Sequence, residues 1–229
     1  MEKPVIELKN VSKIYDMGEV KVHALRNVSM KVNKGEFICI MGPSGSGKST
    51  LMDMVGCLNI PTGGTVFLEG QDISKLRESG LARIRGSKVG FIFQFFNLYP
   101  GLTVTENIAL PMRIHNYSEK DIKKKISELL KMVGLENRHD HLPSQLSGGE
   151  IQRVAIARAL STNPSIIMAD EPTGNVDTKT SEEIMNFFKK LHENGQTIVI
   201  VTHEKHVARH AQRIVYLRDG HIVKGGEIN

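Results

Sequence analysis

The sequence predicts an α/β protein with a mainly parallel sheet. The apolar runs Phe37–Met41, Ile166–Ala169 and Thr197–Val201 have strand length and are continuous rather than alternating, as strands buried on both faces are. Helical stretches separate them, and strands alternating with helices imply parallel pairing, with ligands at the strands' carboxyl ends. Across residues 95–160 strand signals thin out and helical spacing takes over. That stretch reads as a helical lobe inserted in the α/β core, so all 229 residues form one domain.

Val5–Val11 is apolar enough for an opening strand, and Tyr15 follows it in a polar, glycine-containing loop. Val28, Met30 and Val32 alternate with polar residues, the period of a half-buried strand. Lys34-Gly35 turns the chain into Phe37–Met41. A helix runs to Val55, Pro61–Gly64 is a turn, and Thr65–Leu68 is a short strand. Ser74–Arg85 reads as a helix and Val89–Phe93 as a strand ending at Gln94. In the lobe, Ser118–Asp121 has the form of a capping box, followed by Ile122, Ile126, Leu129, Leu130 and Val133 on one helical face. The lysines at 120, 123, 124, 125 and 131 occupy the rest as a solvated face. The core pattern then returns with Ile166–Ala169, a helix over Thr178–Asn194, the strand Thr197–Val201, a short helix, the strand Arg213–Leu217, a turn at Asp219-Gly220 and a last short strand.

Composition excludes several classes. With 40% hydrophobic and 24% charged residues the chain is neither disordered nor fibrous. A net charge of +5 is too slight to argue for nucleic acid. Cys39 and Cys57 sit in apolar surroundings and read as small core residues in a reducing cytosol, not as a disulfide. No apolar run approaches the roughly 18 residues that cross a bilayer, and Met1–Pro4 lacks the apolar core of a leader. The expectation is a chain that is soluble by itself.

The most specific stretch is Gly42-Pro43-Ser44-Gly45-Ser46-Gly47-Lys48-Ser49, of the form G-x-x-x-x-G-K-[ST], with Thr50 next. It stands between a predicted strand and a predicted helix, the context this motif requires. The glycines let successive N–H groups point into one anion-binding hollow, and the helix N-terminus adds its positive dipole end. Lys48 is then in reach of the β- and γ-phosphates, and the Ser49 hydroxyl can ligate Mg²⁺. The stretch predicts binding of a nucleoside triphosphate.

Asp170-Glu171 ends a predicted strand, so one carboxylate can hold Mg²⁺ while its neighbour faces the γ-phosphate. Phosphoryl transfer to water needs an oriented nucleophile and charge neutralisation, which makes Glu171 the natural general base. Gln94, Asp170 and His203 each follow a predicted strand and so fall on the rim that carries the glycine-rich loop. There His203 reads as a polar contact to the γ-phosphate and Glu171; by itself it is equally a core histidine. Leu146-Ser147-Gly148-Gly149-Glu150 precedes the helix Ile151–Leu160 and forms a second anion site, or simply a capped helix.

Taken together these residues resemble the nucleotide-binding subunit of an ATP-binding cassette (ABC) transporter. The Walker A loop is Gly42–Ser49, the Q-loop centres on Gln94, the signature is Leu146–Glu150, and the Walker B strand ends in Asp170-Glu171. Gly174–Asp177 matches the D-loop and His203 the switch histidine. The resemblance implies a P-loop NTPase core with an added antiparallel β subdomain and the helical lobe. It implies ATP and Mg²⁺ as ligands, with Ser49, Gln94 and Asp170 on the metal and Lys48, Glu171 and His203 in catalysis. It implies a head-to-tail homodimer in which Ser147, Gly148 and Gly149 meet the partner's nucleotide and Asp177 organises the partner's site. Tyr15 matches the aromatic residue that stacks on adenine. A membrane permease would dock near Phe95–Gly101, placing the chain in the cytoplasm on the inner face of the membrane. At finer grain, Ile40–Leu58, Gln94–Thr103 with Glu106-Asn107, and Ala169–Asp177 resemble the lipoprotein-releasing and macrolide-exporting branch. A regulatory ATPase that signals through a membrane partner shares the same motifs. Glu150, Phe95 and Asn175-Val176 depart from the commonest family letters.

Overall fold

The computed structural model describes residues 4–223, so the leader expectation at Met1–Pro4 lies, save for Pro4, outside the described residues. The chain opens with β1 (Ile6–Asp16) and β2 (Lys21–Val32), an antiparallel ribbon, and continues through β3 (Phe37–Met41) into α1 (Lys48–Val55). Next come β4 (Gly63–Leu68), β5 (Gln71–Asp72), α2 (Glu78–Lys88) and β6 (Val89–Ile92). The helices α3 (Val104–Ile114), α4 (Glu119–Val133) and α5 (Gly148–Leu160) follow without an intervening strand. The chain ends through β7 (Ile166–Asp170), α6 (Thr178–Glu193), β8 (Thr197–Val201), α7 (Lys205–Ala208), β9 (Arg213–Arg218) and β10 (His221–Val223).

Two sheets result. One is four-stranded and antiparallel in the order β2-β1-β4-β5; the other is six-stranded in the order β10-β9-β3-β8-β7-β6. In the second, β9, β3, β8, β7 and β6 run parallel and only β10 is antiparallel. Every residue of β3 and β8 is buried, which is why their sequences are continuous apolar runs. Alternate side chains divide the core. Ile38, Ile40, Ile166, Met168, Val199 and Val201 pack with α1 and the antiparallel sheet. Ile167, Ala169, Ile198 and Ile200 pack under α3, α4, α5 and α6. Each such burial is worth about 1.5–3 kcal/mol, so the layers are held from both sides.

Register places the functional rim. Ile40 of β3 and Asp170 of β7 both pair with Val201 of β8, so the ends of three strands stand level. Glu171 N donates to Val201 O at 2.9 Å and Thr202 N to Ile40 O at 3.2 Å, continuing the ladder one step past the strands.

Three expectations are corrected. Tyr15 lies in β1, paired with Val22, rather than in a loop: the strand resumes after register shifts between Leu8 and Ile14. Ser74 is not helical, and α2 starts at Glu78. The Ser74 N–H donates to Asp72 Oδ1 at 2.8 Å and its hydroxyl accepts from Val66 N at 2.6 Å, local bonds that compete with a helix. At α4 only half of the capping box forms. Ser118 accepts from Asp121 N at 3.2 Å, while the Asp121 carboxylate takes the Ser118 hydroxyl at 2.6 Å.

Candidate nucleotide site

The loop after β3 is shaped by what will not fit beside it. Gly42 has φ +156°, and a Cβ there would overlap Leu217 O and stand 2.7 Å from Ser46 Oγ. Gly47, at φ +100°, caps α1 and lies against Ala24 O, again leaving no room for a side chain. No side chain caps α1 and its first turn carries no acid. The leading N–H groups of the helix therefore keep no side-chain acceptor, and their partial positive charge faces outward. The opposite holds at α5 and α6, where Ser147 accepts from Glu150 N and Asp177 from Thr180 N. Lys48 Nζ donates to Gly42 O and Pro43 O, both at 2.9 Å, so the cation lies on the loop's own carbonyls.

This loop, α1 and the ends of β7 and β8 surround a cleft of about 370 Å³. Ser44, Gly45, Gly47, Lys48, Ser49 and Thr50 line one side of it. Gln94, Asp170 and Glu171 line another, with Val22 and His23 of β2 at the mouth. Asp170 is partly buried, and burial first, then the charges of Glu171 and Asp53, push its carboxyl pKa up, against the pull of Lys48. A carboxylate so placed is one that a cation would stabilise. Among the described residues no three His, Cys, Asp or Glu side chains gather to hold a metal by themselves. The cleft lining does offer one carboxylate, Asp170, with the Ser49 hydroxyl and the Gln94 amide, a donor set of the kind that holds Mg²⁺ together with phosphate oxygens.

Glu171 has φ +44°, a conformation that non-glycine residues adopt only when held. Its Oε2 accepts the Thr202 hydroxyl at 2.8 Å, and its Oε1 accepts the His203 N–H at 3.1 Å. His203 is thus tied to Glu171 through its main chain, although its ring is largely exposed. Gln94 is tied from behind: Asn175 Nδ2 donates to Gln94 O at 2.6 Å.

Other predicted residues stand apart from the cleft within this chain. Ser147 and Gly148 are exposed, and a Cβ on Gly149 would meet Thr180 Cγ2 at 2.6 Å, so the signature leans on the start of α6. Asp177 is exposed, its carboxylate held below the usual range by the Thr180 hydroxyl and N–H. Pro43 is exposed at the rim and Ser46 is buried behind it. Tyr15 does not line the cleft, yet its register partner Val22 does, and paired residues share a sheet face.

Sequence reasoning missed Gln152, fully buried on α5, whose Nε2 donates to Pro172 O at 2.7 Å beside Glu171. Its only advance signal was a glutamine amid the apolar positions of that helix. Cys39 is a buried core residue, and burial, then the charge of Glu171, pushes its thiol up to about 12.

The ABC transporter family model matches residues 25–174, from β2 through the loop after β7. The chain belongs to the ABC transporter family. Within that family it is an ATP-binding subunit, an ABC ATPase. An uncharacterised ABC transporter ATP-binding protein of Thermotoga maritima is 54% identical over 220 residues, covering 96% of this chain and 94% of that one. The macrolide export ATP-binding/permease protein MacB of Chlorobium phaeobacteroides is 48% identical over 220 residues; the match takes in 96% of this chain but 33% of MacB. The fold matches the ATP-binding cassette MJ0796, solved as a dimer in a post-hydrolysis state with ADP and Pi, at a TM-score of 0.88 and 49% identity. That match covers 98% of this chain and 99% of the cassette. The cassette comes from Methanocaldococcus jannaschii. The ABC ATPase architecture meets the α/β expectation: a mainly parallel sheet, an antiparallel sheet and helices.

Proposed function

We propose that this ABC ATPase drives a membrane permease of the lipoprotein-release or macrolide-export type. It would act as a head-to-tail homodimer on the cytoplasmic face of the membrane. The observation that carries the reading is a separation within one chain. Ser44, Gly45, Gly47–Thr50, Gln94, Asp170 and Glu171 share a cleft, while Ser147, Gly148 and Asp177 are exposed elsewhere. A second copy turned head to tail would bring its signature to the open side of that cleft. The dimeric cassette holding ADP and Pi supports the nucleotide and the pairing, and the fused permease of MacB supports the membrane partner.

In this reading the α1 N–H groups and Lys48 hold the phosphates, and Ser49, Gln94 and Asp170 hold Mg²⁺. When bound, the ion neutralises charge on the transferring phosphoryl group. Glu171 orients water and accepts its proton, with Thr202 and His203 fixing both carboxylate oxygens. Tyr15 stacks on adenine, and Asp177 steadies the partner's site. Residues 95–160 form the helical lobe that meets the permease.

Capture from native membranes with tagged Glu171→Gln and Mg·ATP tests the reading. A four-span permease with a large extracytoplasmic domain is the expected companion. A many-span permease travelling with a binding protein would replace export with import. Dimerisation on ATP with no membrane protein would remove the permease altogether.

A further inference from the structure

The segment after Gln94 holds a backbone feature that its sequence does not announce. Phe96 and Asn97 both have left-handed conformations, φ +58° and +50°. Such a residue costs about 1–3 kcal/mol and persists only where its surroundings hold it, and here two stand in succession. The guanidinium of Arg158, in the last turn of α5, reaches both carbonyls, while the Phe96 and Asn97 N–H groups bond Phe93 O and Phe95 O. Its Nη2 donates to Phe96 O at 2.9 Å and its Nη1 to Asn97 O at 2.5 Å. Both ends of the segment are anchored separately: Asn175 donates to Gln94 O, and the buried Asn107 accepts from Tyr99 N at 2.8 Å and donates to Tyr99 O at 3.1 Å. Its middle rests on Arg158.

We infer that Arg158 is a positioning residue for Gln94, holding the turn at Phe96-Asn97 and through it fixing where Gln94 stands in the nucleotide cleft. The inference rests on the nucleotide reading above. Two successive carbonyls suit a planar fork with several donors in fixed geometry, and an ammonium group does not reproduce that fork. The same helix begins at the signature, Ser147 being its N-cap. Its 13 residues span about 20 Å at 1.5 Å per residue. A shift of the signature against a partner is thereby carried along one rigid element to the turn beside Gln94.

Arg158→Lys, Gln94→Ala and the double variant test this. In nucleotide-free Arg158→Lys, hydrogen exchange at residues 95–99 is expected to quicken at least about tenfold while the amides of β3 and β8 keep their protection. Its kcat for ATP is expected to fall about tenfold with KM changed less than about twofold, and adding Arg158→Lys to Gln94→Ala should cost little beyond Gln94→Ala alone, as for a residue acting through another. Asn97→Gly, which removes the left-handed penalty, is expected to restore part of the lost kcat in the Arg158→Lys background. Unchanged exchange at 95–99, or fully additive losses in the double variant, overturns the tether. Absent hydrolysis in the unaltered protein would overturn the nucleotide reading instead, and the exchange measurement still decides the tether.

Discussion

Nδ1 of His203 lies 2.7 Å from Oε1 of Glu171, and that same oxygen accepts the His203 main-chain N–H. With Thr202 on the other oxygen, the Glu171 carboxylate is held at both ends before any substrate arrives. An ionised Glu171 calls for the tautomer with its proton on Nδ1, which turns Nε2 away from Glu171 as an acceptor.

Glu171→Gln keeps this shape and removes the proton acceptor. Hydrolysis is expected to fall at least about 100-fold while ATP binding persists. Phosphate release and nucleotide binding, measured on one preparation, check the pair of outcomes; hydrolysis close to normal would contradict the assignment.

Lys48→Ala removes a charged donor from the loop and frees the Gly42 and Pro43 carbonyls it covers. Charge-assisted hydrogen bonds are about twice as strong as neutral ones, so nucleotide affinity is expected to drop at least about tenfold. A titration with a fluorescent ATP analogue reads it, and unchanged affinity would remove Lys48 from the phosphate site.

Gly42→Ala drives a methyl group into Leu217 O on β9. Overpacking of this kind costs about 1–3 kcal/mol. A Cβ on Gly45 would meet nothing within 4 Å, and only its φ of +75° opposes a side chain there, so Gly45→Ala should cost about 1–2 kcal/mol. Urea denaturation is expected to rank Gly42→Ala as the less stable of the two.

Glu150 carries the pH prediction. The Ser147 N–H, then its hydroxyl and the Arg138 guanidinium, hold the Glu150 carboxylate below its usual range, against mild desolvation. A depressed folded pKa gives stability that is present above the unfolded value, near 4.3, and lost as pH falls through the folded one. Glu150→Gln retains the capping geometry without the charge. The stability gap between the two proteins is therefore expected to narrow from pH 7 to pH 3, and a constant gap in thermal melts would contradict it.

The rim was legible because its elements are local and strongly patterned. Phe37–Met41, Ile166–Ala169 and Thr197–Val201 are buried on both faces, and a glycine-rich loop between strand and helix has one good reading. Tyr15 was misplaced because β1 is irregular: it shifts register between Leu8 and Ile14, breaking the alternation that marks a strand. Ser74 looked helical because its bonds to Asp72 and Val66 depend on the β4–β5 turn. The left-handed pair at Phe96-Asn97 was out of reach for a stronger reason. What stabilises it is Arg158, whose bonds to it span 61 and 62 positions of sequence. No local window holds both partners.

The order of strands has a consequence for how the protein comes into being. β3, which carries the phosphate loop, pairs only with β8 and β9, and its Phe37 meets Ile198. A chain emerging from the ribosome therefore owns the loop long before it owns the strand that joins it to Asp170 and Glu171. Until Thr197–Val201 exists, β3 lacks the pairing partner on its β8 side, although Ile38 and Ile40 can already pack against α1 and the antiparallel sheet. Contacts so distant in sequence close slowly, so the β3–β8 pairing is expected late in folding. The cleft draws its lining from Val22 through Val201, so it is complete only once β8 has joined β3 and β7.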